Sequence, residues 1–202
     1  MTIIAFISQK GGVGKSTLAQ ALAVEAKRQK INLLLADCDP QQATSYEWSK
    51  IKSKIPSQVF PSVTPIWSLT NQYDLIIIDG PAHTSQATQE IAERADLILQ
   101  PSGASRADLV PAIKEFHALK ASGIKPEKLL LVLNRIATPS EAVAAQEFCQ
   151  ASGYRSLPTF LYEKASYRQA QSEGKSISEV NYTSLRKQVQ KLVIYLLKQV
   201  EV

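Results

Sequence analysis

Apolar residues along the chain gather in five short runs, separated by longer stretches rich in alanine, leucine and polar residues. None of the runs alternates cleanly between polar and apolar positions, which is typical of strands covered by helices on both faces. The runs therefore predict a mostly parallel sheet. The predicted strands are Thr2–Ser8, Asn32–Asp37, Asp74–Gly80, Asp96–Pro101 and Lys128–Asn134.

Helical stretches are predicted between these strands. Residues 15–30 and 105–122 form two of them, and a third covers 140–152, with Ser140 as its N-cap and Gly153 near its end. The alternation of strands and helices predicts the α/β class, with a doubly wound, twisted sheet and helices on both faces.

Two further features bear on domain organisation. Residues 53–66 contain three prolines, which predicts an irregular region at an edge of the sheet. The chain shows no internal repeat, no low-complexity tract and no convincing linker. A single domain over residues 1–202 is therefore expected.

The C-terminal part combines an apolar stripe with positive charge. Between 183 and 201 apolar residues recur every three or four positions, which predicts an amphipathic helix packed on the domain. From Lys164 to Lys198 there are seven basic and two acidic residues, whereas the rest of the chain holds 16 of each. A local positive surface on a neutral body indicates a polyanionic partner, and a merely solvated helix face is the alternative.

Composition narrows the class of protein. The 202 residues are 45% hydrophobic and 20% charged, so the chain is expected to bury a core and to be ordered. A signal peptide is not expected, because "MTIIAFIS" has no basic region, and no apolar run approaches the length of a membrane span. Cys38 and Cys149 form neither a disulfide framework nor a zinc pattern, so a reducing cytoplasm is the expected compartment.

The stretch "ISQKGGVGKST" (residues 7–17) has the features of a phosphate-binding loop between a strand and a helix. Glycines allow a tight turn whose N–H groups point at a phosphate, the following lysine neutralises its oxygens, and the next hydroxyl reaches Mg²⁺. The residues predicted to bind the nucleotide here are Lys10, Gly11, Gly12, Val13, Gly14, Lys15, Ser16 and Thr17.

Two positions depart from the usual pattern, because Gln9 stands where the first glycine is expected and Lys10 adds a second lysine. A long flexible cation at position 10 is able to leave its own loop and reach the phosphates of a second subunit. It would then supply positive charge in trans, as an arginine finger does.

The run from Lys10 to Ser16 resembles the deviant Walker A box, K-G-G-x-G-K-[ST], of the ParA/MinD superfamily of ATPases. Four later segments resemble the same family in order. They are the switch segment "LLLADCDPQQAT", the Walker B and second-switch segment "YDLIIIDGPA", the later strand "LVLNRI" and the C-terminal stretch "LPTFLYEKASYRQAQSEGKSISE".

The resemblance implies a set of chemical roles. Asp39 takes the position that orients the attacking water, and Asp79, at the end of an apolar strand, holds Mg²⁺ together with Ser16. Asp37 arranges metal-bound water or the switch. Asn134 meets the adenine edge, and Pro158 lines the base pocket on resemblance alone. His83 is a further candidate, as a sensor of the γ-phosphate.

The resemblance also implies a homodimer bridged by ATP that binds DNA without sequence preference. A ParB-like or other adaptor protein would stimulate slow ATP hydrolysis, and the protein would be cytoplasmic and nucleoid-associated, without stable membrane association. The expected DNA contacts are Arg168, Lys187 and Lys191. A MinD-like ATPase that uses the last helix as a lipid anchor, and a synthase that activates a carboxylate, are the alternatives.

Overall fold

A computed structural model describes residues 1–81 and 86–200, so His83 lies outside the described residues. Within these ranges seven strands form one sheet in which every pairing is parallel. The strands are β1 (Thr2–Phe6), β2 (Leu33–Asp37), β3 (Ser57–Val59), β4 (Leu75–Asp79), β5 (Leu97–Ser102), β6 (Leu129–Leu133) and β7 (Arg155–Ser156). Their order is β3-β2-β4-β1-β5-β6-β7, so the chain starts near the middle of the sheet and builds outward on both sides.

Helices connect the strands. The α-helices in the described part of the chain are α1 (Lys15–Arg28), α2 (Thr44–Trp48), α3 (Gln86–Arg94), α4 (Arg106–Ala121), α5 (Pro139–Ala151), α6 (Ala165–Ser172) and α7 (Thr183–Lys198). A π-helical turn, Ser49–Ser53, follows α2, and 3₁₀ turns cover Thr64–Gln72, Pro126–Lys128 and Ile177–Glu179.

The strands β1, β2, β4, β5 and β6 each contribute to two hydrophobic layers, because successive side chains point to opposite faces of the sheet. In β1, Ile4 and Phe6 pack with α1, α6 and α7, whereas Ile3 and Ala5 pack with α3, α4 and α5. Burial on both faces explains why the apolar runs do not alternate with polar residues. The predicted α/β fold and its five strands are confirmed.

Several short elements were not predicted. β3 lies at the sheet edge inside the proline-rich stretch, and β7 has only two residues. The predicted N-cap Ser140 is wrong: Thr138 precedes α5, and its side-chain oxygen accepts a hydrogen bond from the backbone N–H of Glu141. Pro139 then takes the first helical position, where a missing N–H costs no helical bond.

The apolar stripe of the C-terminal helix belongs to the core. Its five fully buried side chains face the layer formed with α1, and they are Val189, Leu192, Val193, Leu196 and Leu197. Across residues 1–81 and 86–200, no helix has both the length and the apolar character required to traverse a bilayer.

Candidate functional site

The phosphate loop connects β1 to α1 at the carboxyl edge of the sheet, where parallel α/β sheets usually bind ligands. Gly12 and Gly14 have φ angles of 74° and 104°, which residues with a Cβ rarely adopt. A Cβ at Gly14 would lie 2.1 Å from Asn134 Nδ2. The first turn of α1 contains no acidic residue, so its free N–H groups and its dipole favour an anion.

Lys15 points into a cavity of about 260 Å³ beside this loop. Its Nζ donates to the Ser8 carbonyl at 3.3 Å. Burial lowers the pKa of Lys15, and the negative charges of Asp79, Asp39 and Glu115 oppose that shift. The cavity is lined by Gly11, Gly12, Gly14, Lys15, Ser16, Thr17, Asp37, Asp39, Gln42, Thr44, Asp79 and Gly80.

Asp79 is the buried carboxylate of this cavity. Its Oδ2 accepts a hydrogen bond of 2.7 Å from the Ser45 hydroxyl, while its Oδ1 is buried without a hydrogen-bond partner among the described residues. Burial, followed by the charge of Asp37, raises the pKa of Asp79 to about 7, although Ser45, Ser16 and Lys15 act in the opposite direction. The Oδ1 of Asp79 and the nearby Ser16 hydroxyl are oxygen ligands of the kind that Mg²⁺ prefers.

Asp37 organises the segment between β2 and α2. Its Oδ1 accepts from the backbone N–H of Asp39 at 3.1 Å, and its Oδ2 accepts from Ser45 and Tyr46 at 2.8 and 3.1 Å. These bonds satisfy the first N–H groups of the short helix α2. Burial nevertheless raises the pKa of Asp37. Of the two roles that the sequence left open, these contacts favour the switch, and a metal contact stays a prediction.

Asp39 occupies a different position from Asp37. It is only partly buried and lines the cavity. Its Oδ1 accepts a hydrogen bond of 3.2 Å from the backbone N–H of Gln42. One carboxylate oxygen is therefore held by the loop while the side chain stays next to the cavity, as a water-orienting residue requires.

The structure explains why position 9 does not need glycine. The backbone N–H of Gln9 donates to Glu115 Oε2 at 3.2 Å, and Gln100 Nε2 donates to the same oxygen at 2.7 Å. Glu115 lies on α4 and is 3% exposed. This N–H is thus committed to a buried carboxylate, so the predicted phosphate nest consists of the glycines that follow.

The Lys10 side chain extends away from the cavity that Lys15 lines and packs against the start of α4. Its Nζ lies 2.5 Å from Asp108 Oδ1 and 3.3 Å from the Ala107 carbonyl. Pro111, inside α4, has no N–H to donate to the carbonyl four residues earlier, which is that of Ala107. Lys10 supplies a donor to this oxygen. The Lys10 side chain is 44% exposed, so it is held by a solvent-accessible contact.

A second cavity of about 220 Å³ adjoins the first at Gly12, Gly14 and Thr17. Asn134 lines it, but its Nδ2 donates to the Val13 carbonyl at 2.9 Å, and its Oδ1 accepts from the Arg135 N–H at 2.9 Å. The Asn134 amide thus braces the phosphate loop with the groups that were assigned to adenine. Its contact with the base stays a prediction.

Charged residues form the rim of the second cavity. Arg135 donates to the Gly12 carbonyl at 3.0 Å and to Glu163 Oε1 at 3.3 Å. Arg168 donates to the same Glu163 oxygen at 3.0 Å. The structure therefore places Arg168, a predicted DNA contact, at the mouth of this cavity and in an ion pair.

The other predicted residues lie farther out. Pro158 is exposed and is not among the lining residues of this second cavity, so the structure gives no support for its role in a base pocket. Lys187 and Lys191 lie on the exposed face of α7. Their DNA contact stays a prediction.

Sequence reasoning missed several residues that contact the loop or the cavities. The missed residues are Ser45, Asp108, Glu115, Arg135, Glu163 and Gln171. Ser45 directly follows the switch segment, and Arg135, Glu163 and Gln171 lie inside the two later segments that resemble the family, but the motif patterns assign no role to any of them. Asp108 and Glu115 lie on α4, outside every recognised segment, and no spacing in the sequence reveals that they reach the phosphate loop.

The sequence model of the family described as CobQ/CobB/MinD/ParA nucleotide binding domain matches residues 4–177. The chain is also similar to the "Maintenance of carboxysome distribution protein A" of Gloeobacter kilaueensis. The two are 28% identical over 181 residues, which cover 87% of this chain and 83% of that protein.

Solved structures share the fold. The MinD cell division protein of Aquifex aeolicus superposes with a TM-score of 0.78 at 16% identity, over 98% of each chain. An ATP complex of McdA from Cyanothece gives a TM-score of 0.75 at 20% identity, over 100% of this chain and 97% of that one.

Proposed function

Because the chain belongs to the CobQ/CobB/MinD/ParA family of nucleotide-binding domains, we propose that it is an ATPase that dimerises on ATP, binds DNA without sequence preference and positions or partitions a cargo. The observation that carries this proposal is the pair of lysines on one phosphate loop. Lys15 faces the cavity, whereas Lys10 extends away from it and rests on α4.

Within one subunit the residues divide the work of ATP hydrolysis. The N–H groups of the loop cradle the phosphates, and Lys15 neutralises the β- and γ-oxygens. Asp39 orients the attacking water. Ser16 and Asp79 would hold Mg²⁺, which would neutralise charge on the phosphates. A water-positioning residue without a strong general base is consistent with slow turnover.

Dimerisation is the part of the cycle that requires Lys10. In the single chain its ammonium group is held by Asp108 and by the Ala107 carbonyl. An exposed ion pair of this kind stabilises by only about 0.2 to 1 kcal/mol. The triphosphate of a second subunit, with several negative charges, competes easily with it. ATP then joins two subunits, and hydrolysis releases them.

DNA binding is assigned to the exposed basic face of α7. Lys187 and Lys191 lie one helical turn apart on that face. Arg168 is a weaker candidate, since its guanidinium pairs with Glu163 at the cavity rim. An adaptor protein, ParB-like or other, would stimulate hydrolysis and specify the cargo.

The cargo is a plasmid, a chromosome region or a protein microcompartment carried over the nucleoid in the cytoplasm. The relative from Gloeobacter kilaueensis is named for maintaining carboxysome distribution, which supports a role in positioning.

The alternative is a MinD-like ATPase that cycles on a membrane by means of its last helix. The buried stripe of α7 argues against it, because the residues Val189, Leu192 and Leu196 already pack in the core. A reversible anchor requires an apolar face that is free to enter lipid.

Co-sedimentation with DNA tests the proposal. The protein is mixed with unrelated DNA sequences in ATP, in ADP and without nucleotide, at two salt concentrations. We expect ATP-dependent, sequence-independent and salt-sensitive binding. In parallel, light scattering should show dimers with ATP and fewer dimers for Lys10→Ala. Binding to anionic vesicles but not to DNA would favour the alternative.

Asp39→Ala supplies a second test within the same assay. If Asp39 orients the attacking water, the variant should bind ATP, form dimers and stay on DNA, because the ATP state is no longer hydrolysed. Rapid release from DNA with normal phosphate production would mean that another residue positions the water.

A further inference from the structure

Helix α1 contains one amide that its surroundings do not explain. Gln20 is 1% exposed and is flanked along the helix by alanine and leucine. Burying an amide costs free energy unless its polar atoms are hydrogen-bonded. The phosphate-loop chemistry described above makes no use of Gln20.

The hydrogen bonds of Gln20 form part of a directed chain. Gln171 Nε2 donates to Gln20 Oε1 at 3.1 Å, and Gln20 Nε2 donates to Ser45 Oγ at 3.5 Å, the longest step. Ser45 then donates its hydroxyl proton to Asp79 Oδ2 at 2.7 Å.

The direction of the chain is fixed by its last member. A serine hydroxyl has one proton, and when Asp79 is ionised, the form that binds Mg²⁺, Ser45 donates that proton to the carboxylate of Asp79. The Ser45 oxygen is therefore an acceptor for Gln20. Gln20 therefore donates through its Nε2, and its Oε1 accepts a hydrogen bond from Gln171 Nε2.

Both ends of this hydrogen-bonded chain line the two cavities, which together form the proposed nucleotide groove. Gln171, on α6, lines the second cavity, and its Nε2 also donates to Thr17 Oγ1 at 2.9 Å. Asp79 lines the first cavity and has one buried oxygen without a partner among the described residues. Gln20 thus joins the two halves of the groove behind the phosphate loop.

We propose that Gln20 is a positioning residue that holds Ser45, and through it the Asp79 carboxylate, in the orientation that binds Mg²⁺. Gln171 couples this orientation to the second cavity, which it lines and where the nucleoside would lie. The inference rests on the proposed function, since it assumes that the groove binds a nucleotide with Mg²⁺. Residues behind a metal ligand typically change metal affinity by about ten- to a hundredfold when they are removed.

The test measures how strongly Mg²⁺ tightens the binding of fluorescent ADP. For each protein, the ADP dissociation constant without Mg²⁺ is divided by the constant with Mg²⁺. This ratio cancels direct contacts of a side chain with the nucleotide. Gln20→Leu, Ser45→Ala and Gln171→Leu are compared with Gln169→Leu. The control changes the same residue type on α6, where Gln169 is exposed and bonds Glu173.

We expect the ratio to fall by about tenfold in Ser45→Ala and by several-fold in Gln20→Leu, and to stay unchanged in Gln169→Leu. Urea unfolding of each variant separates this effect from a loss of stability. A Gln20→Leu protein that folds and keeps the wild-type ratio overturns the inference, because the chain would then serve only to satisfy buried groups.

The double variant Gln171→Leu/Ser45→Ala tests the coupling directly, since these two side chains are joined through Gln20. We expect its loss to be smaller than the product of the two single losses. Independent losses overturn the inference even if Gln20→Leu does not fold. A wild-type protein that binds ADP without any effect of Mg²⁺, or binds no ADP, overturns the proposed function as well.

Discussion

The first cavity, beside the phosphate loop, and the basic face of α7 both carry positive charge, but the charge is buried in the cavity and exposed on the helix. Lys15 is 9% exposed and lies between a backbone carbonyl and buried carboxylates. Lys187 and Lys191 are exposed, and no ion pair between described residues includes either of them. The buried charge must be placed by the backbone, whereas the surface charges need only be available.

This difference sets how each region should respond to substitution. Loss of a buried charge leaves its partners unsatisfied and costs a large free energy. Loss of an exposed charge removes one weak, salt-screened interaction. The two regions should therefore differ in the size of the effect and in its dependence on salt and pH.

The largest effect is expected from Lys15→Ala. Charge-assisted hydrogen bonds contribute about 1.5 to 3 kcal/mol each, and the loss of two or more should weaken ATP binding by about a hundredfold or more. Isothermal titration calorimetry measures this. Lys27→Ala is the control, because Lys27 is an exposed lysine at the other end of α1. Unchanged ATP affinity in Lys15→Ala would remove the assignment of the loop.

The next effect concerns pH. In the folded protein the pKa of Asp79 is raised from 3.8 to about 7, mainly by burial. Between these two values the folded state keeps a proton that the unfolded state has lost. The stability that this proton gives is complete below the unfolded pKa and disappears as pH rises through about 7.

Urea unfolding without nucleotide and metal, from pH 5 to 8, measures this effect. Over this range the wild type should lose on the order of 2 to 4 kcal/mol of its free energy of unfolding. Asp79→Asn should not show this decline, so the variant should be more stable than the wild type at pH 8. Asp74→Asn, at the exposed residue just before the same strand, should follow the wild type. A parallel decline in Asp79→Asn would mean that Asp79 is not the group responsible.

A smaller effect is expected at the basic face. Each of Lys187→Ala and Lys191→Ala should reduce the slope of log affinity against log salt for DNA by about 0.9. Arg168→Ala should reduce this slope less, since that guanidinium already pairs with Glu163. Fluorescence anisotropy at four salt concentrations measures the slopes. A larger change in Arg168→Ala would move the DNA contact to the cavity rim.

The smallest effect concerns Lys10, a solvent-accessible charge on the same loop as Lys15. Asp108→Asn weakens its contact on α4 and should tighten ATP-dependent dimerisation by about 1.4- to 5-fold. Pro111→Ala restores an N–H donor to the Ala107 carbonyl and should act in the same direction. Analytical ultracentrifugation measures both, and weaker dimers in both variants would mean that Asp108 and Pro111 assist Lys10 rather than retain it.

The sequence was sufficient to predict the sheet and the phosphate loop for one physical reason. Strands buried on both faces are apolar throughout, and a phosphate nest needs glycines at fixed spacing, so both are visible locally. β3 and β7 are too short to form a pattern, and α2 has only five residues. The role of Asp37 also required structure, because its acceptor bonds depend on how the following loop folds back.

The contacts behind the loop escaped prediction for the opposite reason. Glu115 meets Gln9 across 106 residues, and Gln171 meets Thr17 across 154. Each of these side chains looks like an ordinary helical residue in its own neighbourhood. Only the topology of the sheet decides which helix faces the loop.

The spacing of the two acidic residues on α4 restricts the changes in length that this helix tolerates. Asp108 and Glu115 stand seven positions apart, close to two full helical turns, and they grip consecutive residues, Lys10 and Gln9. Deleting one residue between them would rotate one carboxylate by about 100° around the helix axis relative to the other, and one of the two contacts with the loop would be lost. Exposed loops generally tolerate insertions and deletions. The stretch of α4 from Asp108 to Glu115 should not, because its length sets where both carboxylates meet the phosphate loop.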